Sequence, residues 1–230
     1  MTLFLDALRW LVAPEQWEGR STLMGRVAEH LSYSMLALLI AAVIAVPVGY
    51  AVGHTGRGKQ FVVGLSGAAR ALPSLGLLTV LTLLVGVGEA VVAATVVFVL
   101  LGVPSILAGA YSGIDNIDPQ VRDAARAMGM TRWQMLSRVE IPLGLPLLLG
   151  GVRNAALQIV ATAVLAAYVG LGGLGTYILR GIPLRRYDET LGGALAIVAV
   201  ALVVDGFFAV AQRAATRLTA HPTRSNRRTT

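Results

Sequence analysis

The chain has 230 residues, of which 56% are hydrophobic and only 13% are charged, and its formal net charge is +7. Soluble domains usually carry about 25% charged residues, so this composition excludes an ordinary soluble domain and indicates an integral membrane protein. The absence of cysteine excludes disulfides and thiolate metal sites. Most basic residues lie in short loops and in the tail, as expected for membrane proteins, which argues against nucleic-acid binding.

The first segment, residues 1–20, lacks the basic start of a signal peptide. Its apolar side chains, including Phe4 and Trp10, predict a short helix that lies at the membrane surface. We separate this segment from a transmembrane domain over 21–215 and from a basic tail over 216–230. The tail has little apolar content, so we expect it to be disordered.

Five apolar segments are long enough to cross a bilayer, and all are predicted to be helices. They lie at about 27–52, 60–86, 89–111, 142–169 and 190–212. Proline interrupts the second segment at Pro73 and the third at Pro104. Because breaks inside a membrane bundle are tolerated where protein or a wet cavity meets the freed carbonyls, Pro73, Ser74 and Pro104 are candidates for a solute pathway or gate. A simple packing kink is the alternative.

The distribution of lysine and arginine predicts the orientation. If the loop between spans three and four is cytoplasmic, most of the basic residues outside the spans lie on the cytoplasmic side. The positive-inside rule then places the N-terminus outside and the C-terminus in the cytoplasm of a multi-pass cell-membrane protein.

The loop between spans three and four, at about 115–141, has a clear helical pattern. Asp118 followed by Pro119 is typical of a helix start. Ala124 and Ala125 lie on the apolar stripe of this helix and give it a face of small residues, which a groove on another protein could accept closely. An amphipathic loop resting on lipid headgroups is the alternative.

A second helix is predicted to follow at once. Gly129 suits a left-handed helix end. Thr131 with Gln134 three residues later forms a capping-box pattern, so a helix that carries Trp133 should begin there. Pro142 then opens the fourth span. The loop is therefore predicted to be a helix–glycine–helix unit.

The stretch DAARAMGMTRWQMLSRVEIP, residues 123–142, resembles the cytoplasmic EAA loop of binding-protein-dependent ABC importer permeases. In that family an E-A-A triplet is followed after three residues by glycine, and after nine more by I-x-L-P. Here these positions are held by Asp123-Ala124-Ala125, Gly129 and Val139-Glu140-Ile141-Pro142, with three conservative departures.

Other stretches resemble the osmoprotectant branch of this family, which carries glycine betaine, choline or carnitine. These stretches are ALPSLGLL at 71–78, AGAYSGI at 108–114, GMTRWQML at 129–136 and GLGGLGTYI at 170–178. Relatives that carry methionine share the five-span plan, so a permease for methionine or another amino acid is the alternative.

The resemblance implies an all-α membrane protein, a five-transmembrane-helix permease of the type I importer kind. It also implies ABC nucleotide-binding subunits, an identical or different second permease subunit and an extracytoplasmic substrate-binding protein as partners. ATP would be bound by the partner, so we expect no cofactor, metal or enzymatic activity in this chain. The implied ATPase-coupling residues are Asp123, Ala124, Ala125, Met128, Gly129, Trp133 and Pro142.

The resemblance also places the end of span four outside, facing the binding protein or the gate, which adds Gly172, Gly173 and Gly175 to the gate candidates. The loop at 179–190 is expected to meet the binding protein through charge pairs. Its charged residues are Arg180, Arg185, Arg186, Asp188 and Glu189.

Two glycine motifs match nucleotide-binding patterns by letter only. GHTGRGKQ, residues 53–60, ends on Gln60 where a P-loop needs a hydroxyl for magnesium, and no strand precedes it. GLGGLG, residues 170–175, also lacks the preceding strand of a dinucleotide site. The three histidines are too far apart in sequence to suggest a metal site.

Three charged residues fall deep inside the spans, away from their ends: Arg70, Arg153 and Asp205. The fixed helical rise puts Arg153 and Asp205 at nearly equal depth from the cytoplasmic end, so we expect them to pair. Arg70 is a competitor for the same carboxylate, and separate snorkelling of each charge is the alternative.

An ion-coupled secondary transporter is the competing class, with a structural membrane protein as a further alternative. Secondary transporters commonly show two related halves and ionisable residues at the membrane midplane. We find no convincing internal repeat in this chain, which favours the ABC permease. Few aromatic residues lie in the spans, so the main affinity for a quaternary ammonium is expected to reside on a separate binding protein.

Overall fold

The computed structural model describes residues 2–19, 22–60, 62, 64, 67 and 73–219, and all regular elements in these ranges are helical. The α-helices are α1 (Thr2–Val12), α2 (Leu23–Thr55), α3 (Ser74–Val85), α4 (Ala90–Asp115), α5 (Pro119–Ala127), α6 (Arg132–Met135), α7 (Ile141–Thr162), α8 (Gly175–Gly181) and α9 (Tyr187–Thr219). Short 3-10 turns cover Pro14–Gln16, Val87–Glu89 and Ala163–Val169, and a π-helical turn covers Leu136–Glu140.

Four helical stretches of the described chain are long and apolar enough to cross a membrane: Leu23–Thr55, Val87–Asp115, Arg132–Val169 and Tyr187–Thr219. These correspond to predicted spans one, three, four and five. The second predicted span is represented by the shorter helix α3, which begins directly after Pro73. Much of the chain before it, including Arg70, lies outside the described residues. The all-helical membrane architecture is thus confirmed, with four full-length spans among the described residues.

Helix α2 extends beyond the predicted first span because capping groups set its two ends. Thr22 accepts a hydrogen bond from the Gly25 backbone N–H and starts α2, and Gly56 ends this helix in the left-handed conformation (φ +70°). With 33 residues α2 is about 50 Å long, which exceeds the hydrocarbon core of about 30 Å. Its ends therefore project from the membrane.

Pro104 does not interrupt the third span, so that prediction is wrong. Helix α4 continues through this residue, which is buried in the bundle. A proline removes one backbone donor, but membrane helices tolerate this where neighbouring helices cover the freed carbonyl.

Helix α4 is the centre of the bundle and lies between α2 and α7. Glycines bring its backbone into contact with α7: a Cβ atom added at Gly109 would lie 2.8 Å from the Gly151 Cα, and one at Gly113 would lie 2.6 Å from the Gly144 carbonyl oxygen. On the other side, a Cβ at Gly49 of α2 would lie 2.5 Å from the Ala110 Cβ. The glycine content of the sequence thus serves close helix packing.

Helix α9 lies at the edge of the bundle against α7, α8 and α1. Large apolar side chains, including Leu202, Val203 and Phe207, remain exposed on it, as expected for a surface that faces lipid or another subunit. The predicted N-terminal helix, α1, packs onto α9. Its Trp10 ring also meets Tyr177 of α8 edge-on at a centroid distance of 4.9 Å. The N-terminal segment is thus attached to the helical bundle.

The contact between α4 and α7 predicts a contrast between two glycine-to-alanine variants. Gly113→Ala should lower thermal stability, because overpacking of a close contact costs about 1–3 kcal/mol. Gly206→Ala is the matched control, since this helical glycine has open space around its Cβ position. Fluorescence-detected size-exclusion melting of the detergent-solubilised protein measures both. Equal midpoints for the two variants would contradict the backbone contact.

Candidate functional site

The first helix of the loop between spans three and four is built as its sequence predicts. The Asp118 side chain accepts a hydrogen bond from the Gln120 backbone N–H at 2.8 Å, and Pro119 is the first residue of α5. Gly129 follows the helix with φ +77° and no neighbour near its Cβ position. The predicted helix start and left-handed glycine are therefore confirmed.

The second helix starts as predicted but does not end before the fourth span. Thr131 and Gln134 form both hydrogen bonds of the capping box at the start of α6. The chain then passes through the π-helical turn Leu136–Glu140 directly into α7. Pro142 has no N–H and its ring crowds the carbonyl four residues earlier. The wider π-helical turn immediately before Pro142 accommodates this without a break.

Four side chains of the loop form what we term the exposed apolar face. Trp133 and Met128 are 72% and 70% exposed, and Val121 and Ala124 are exposed beside them on α5. Ala125 is instead only 2% exposed and faces inward. Consecutive residues point about 100° apart around a helix, so the expectation that Ala124 and Ala125 share one outward face is wrong.

A buried carboxylate lies beneath the loop, and sequence reasoning missed it. Glu140 is 1% exposed, and its Oε2 atom is 2.6 Å from the Nδ1 atom of His54 at the end of α2. Its Oε1 atom is 3.2 Å from the Nε atom of Arg122 on α5. Arg122 also donates a hydrogen bond to the Ile114 carbonyl near the end of α4. These residues, the Glu140 cluster, join three spans to the loop.

A second polar contact lies at the same end of the bundle. Lys59 is 3.3 Å from the Asp115 carboxylate, which also accepts a hydrogen bond from the Tyr111 hydroxyl at 2.7 Å. Hydrogen bonds with Tyr111 and then with Asp115 raise the pKa of Lys59 above its usual value. The lysine therefore stays charged, and the turn that resembled a P-loop is tied to α4.

A basic cavity of about 440 Å³ opens beside this loop. It is lined by His54, Thr55, Arg57, Arg126, Arg132 and Met135. Arg126 is paired with Asp123 at 3.0 Å on the protein surface, and the remaining charges give the cavity a positive character.

The glycine loop after span four lies at the opposite end of the bundle and packs on the start of α2. Gly172 and Gly173 have φ values of +80° and +76°, and the Gly173 N–H donates to the Glu29 carboxylate at 2.8 Å. A Cβ atom at Gly172 would lie 2.5 Å from this carboxylate, and one at Gly175 would lie 2.1 Å from the Val164 carbonyl oxygen. Close packing and left-handed backbone thus explain the glycines.

The structure does not gather the gate candidates into one site. Two hydrogen bonds tie the glycine loop to the side chains of Glu29 and Tyr33 on α2. Pro104 is buried within α4, whereas Pro73 is exposed next to Ser74 at the start of α3. These residues stay predictions for a pathway or gate.

Three charged residues of the loop at 179–190 pair with each other. Glu189 is fully buried, with Arg180 Nε at 2.8 Å and Arg186 Nη1 at 3.0 Å from its carboxylate oxygens. Two arginines share one carboxylate and remain about half exposed, so a positive charge is left at this surface. The expectation that this loop meets the binding protein through charge pairs stays a prediction. Arg185 is exposed and has φ +55°.

Arg153 of α7 and Asp205 of α9 form a two-pronged ion pair. The Nε atom of Arg153 is 2.6 Å from Oδ1, and its Nη2 atom is 2.7 Å from Oδ2. This geometry is the strong form of an arginine–carboxylate contact. The competitor Arg70 lies outside the described residues. In the part of the chain that the structure describes, no three His, Asp or Glu side chains are grouped to hold a metal ion.

Comparison with known proteins decides the family. Residues 24–219 match the family model described as binding-protein-dependent transport system inner membrane component. The chain belongs to this family. It is a multi-pass membrane permease, a subunit of a transport system.

The permease is similar to several characterised relatives over most of its length. It is 34% identical over 194 residues to the glycine betaine/carnitine/choline transport system permease protein OpuCB of Bacillus subtilis, covering 84% of this chain and 88% of that one. It is 36% identical over 183 residues to the osmoprotectant import permease protein OsmW of Salmonella typhimurium, covering 77% and 84%. A solved structure of the MetNI methionine ABC transporter, in an inward-facing conformation, shares the fold with a TM-score of 0.74 at 23% identity, covering 89% and 99%.

The Arg153–Asp205 contact predicts partial rescue by a charge swap. Arg153→Asp and Asp205→Arg should each lower the yield of folded permease several-fold, because each places two like charges together inside the membrane. The double variant should recover part of the yield, since the opposite charges are restored. Membrane yield by fluorescence-detected size exclusion measures this. Arg70 would be the partner of Asp205 if two results were found together. The yield of the double variant would be no higher than that of the worse single variant, and Arg70→Asp would restore the yield of Asp205→Arg.

Proposed function

We propose that this permease is the transmembrane subunit of an ATP-driven ABC importer for osmoprotectants such as glycine betaine, choline or carnitine. The solute class is supported by the relatives named above, which cover most of the chain and are described as permeases for these compounds. The methionine transporter is similar at an identity that supports the fold alone.

The exposed apolar face is the observation that carries the proposed mechanism. Two large apolar side chains, Met128 and Trp133, are exposed on a loop rich in arginine, which is expected to lie outside the hydrocarbon core. Aromatic and methionine side chains of this kind are enriched at the centres of protein interfaces. ABC nucleotide-binding subunits would cover this face, and the adjacent basic cavity would favour acidic groups on them.

The partners divide between the two ends of the bundle. ATPase subunits would act at the end that carries the loop between spans three and four, and ATP would bind to them. An extracytoplasmic binding protein would deliver the solute at the end that carries the glycine loop. A second permease subunit, identical or different, would complete the pathway, and ATP binding would switch it between outward- and inward-facing forms.

The burial of two aromatic residues, Trp10 and Tyr177, is in keeping with a separate binding protein as the main source of affinity. A quaternary ammonium is held by the open faces of aromatic rings. Trp10 and Tyr177 are buried against each other, so their rings contact protein and not solute. The permease would then provide passage, with selectivity set largely before the solute reaches it.

Reconstituted uptake tests this function. The permease with its ATPase and binding-protein partners should take up at least one of labelled glycine betaine, choline and carnitine when ATP is present inside the vesicles. Trp133→Glu should lower uptake by about tenfold or more, because loss of a central aromatic contact costs about 2 kcal/mol or more.

Leu218→Glu is the matched control, since Leu218 is an exposed apolar residue in the last turn of α9, and it should transport normally. ATP-dependent uptake of methionine alone would replace the solute assignment. Full uptake by Trp133→Glu would reject the exposed apolar face as the ATPase contact.

Orientation is tested with single cysteines, which the natural chain lacks. Arg185→Cys should react with a membrane-impermeant thiol reagent in whole cells, because this loop is proposed to be external. Arg132→Cys should react only after the cells are opened, because the arginine-rich loop is proposed to be cytoplasmic. The reverse labelling pattern would invert the topology.

A further inference from the structure

Glu140 is one of two carboxylates among the described residues that are almost completely buried. A buried carboxylate is costly unless it is paired, so this position requires its partners. The other buried carboxylate, Glu189, pairs with arginines at most nine residues away in sequence. The partners of Glu140 come instead from two other helices, so its contacts depend on how those helices are arranged.

Each oxygen of the Glu140 carboxylate has a different structural partner. His54 ends the first span and contacts Oε2 at 2.6 Å. Arg122 belongs to α5 and contacts Oε1 at 3.2 Å. Because Arg122 also donates to the Ile114 carbonyl, α5 is connected to span three and to span four through one side chain.

Other polar contacts of α5 do not link it to the spans in this way. The Asp118 cap lies at its own N-terminus, and Arg126 pairs with Asp123 within the helix on the surface. At its other end α5 leads into Gly129, whose left-handed conformation separates it from α6. Arg122 is therefore the side chain through which a displacement of the exposed apolar face would reach the ends of the spans.

The position of Glu140 in the helix adds a second argument. It is the last residue of the π-helical turn that joins the loop to span four. Such turns are uncommon, occur often at functional sites and mark places where a helix departs from regular geometry. A residue that holds this turn in place also determines the direction of α7 relative to α6.

From these contacts we infer that the Glu140 cluster is the mechanical link of this permease. Glu140 is a positioning residue: it holds the ends of spans one, three and four to α5, so that movement of the exposed apolar face moves the spans together. This inference rests on the proposed ATP-driven function, and it assigns the coupling to residues beneath the contact surface. Loss of the link would leave ATP hydrolysis running without movement of the spans.

The test uses the reconstituted complex of permease, ATPase subunits and binding protein. Glu140→Gln keeps the size of the side chain but removes its charge. Coupling free energies between sites commonly correspond to effects of about 5- to 150-fold, so uptake per ATP hydrolysed should fall about fivefold or more while basal hydrolysis is retained. Arg138→Gln is the matched control: Arg138 belongs to the same π-helical turn, is exposed and has no ion pair to any described residue. It should couple normally.

Two further variants separate a coupling role from a loss of stability. Arg122→Gln should show the same defect, and Glu140→Gln combined with Arg122→Gln should be no worse than the worse single variant, because both act through one contact. His54→Asn leaves the Arg122–Glu140 contact in place, so it is the milder variant to use if Glu140→Gln does not assemble. The inference would be overturned if assembled Glu140→Gln or His54→Asn showed the same uptake per ATP as the natural chain. It would also be overturned if the losses of the two single variants were additive in the double variant.

A readout that needs no solute keeps this result separate from the proposed solute class. Tyr168 is exposed at the far end of span four, and Tyr168→Cys can be labelled by a thiol reagent. We expect ATP to change the labelling rate in the otherwise natural complex and not in the Glu140→Gln background. If ATP changes the labelling rate only in the natural background but no ammonium solute is taken up, the proposed solute class is rejected and the role of the Glu140 cluster is retained. An equal ATP response in both backgrounds would reject the link.

Discussion

At two levels of the bundle the backbones of α4 and α7 touch with no side chain between them, at Gly109 with Gly151 and at Gly113 with Gly144. Lipid tails are as apolar as leucine, so close van der Waals contact of this kind, and not exclusion of water, holds membrane helices together. The contact of Gly113 with Gly144 lies next to Ile114, whose carbonyl accepts a hydrogen bond from Arg122. The geometry of the Glu140 cluster therefore depends on how closely these two helices approach.

Among the described residues, ion pairs divide between the ends of the bundle, and the Arg153–Asp205 pair of α7 and α9 lies between them. Glu140 organises one end, and Glu29 and Glu189 organise the other. Each carboxylate fixes a loop to a span. This arrangement suits a protein in which the apolar middle of the bundle moves while polar contacts at its ends connect the spans to the loops. A transporter driven by a separate motor needs this division, because force arrives at one end and the solute at the other.

The sequence predicted those features that nearby residues decide. Asp118, Gly129 and the Thr131–Gln134 pair each act within a few positions of themselves, so the helix start, the glycine turn and the capping box were all correct. The fixed rise of a helix was enough to put Arg153 level with Asp205. Family resemblance gave the fold class, which the comparisons confirmed.

Features that depend on distant partners could not be predicted. The contacts of Glu140 come from positions 86 and 18 residues away, which no local pattern reveals. The pairing of Glu189 with Arg180 and Arg186 is local in sequence, but its complete burial appears only once the helices are packed. Helix ends were misplaced because hydropathy reports the lipid-facing length and not the caps beyond it. One available signal was overlooked, namely a lone acidic residue in an apolar stretch before a proline.

The ion pair between α7 and α9 has a consequence for biosynthesis. Asp205 follows Arg153 by 52 residues, so the arginine is made, and its helix enters the membrane, well before its carboxylate leaves the ribosome. During that interval a guanidinium sits in span four without this counter-ion. An unpaired charge inside a membrane span is costly, so a chain that ends before Asp205 lacks the carboxylate that pairs with Arg153 in the complete bundle. Insertion of α9 thus completes this ion pair as well as the helical bundle.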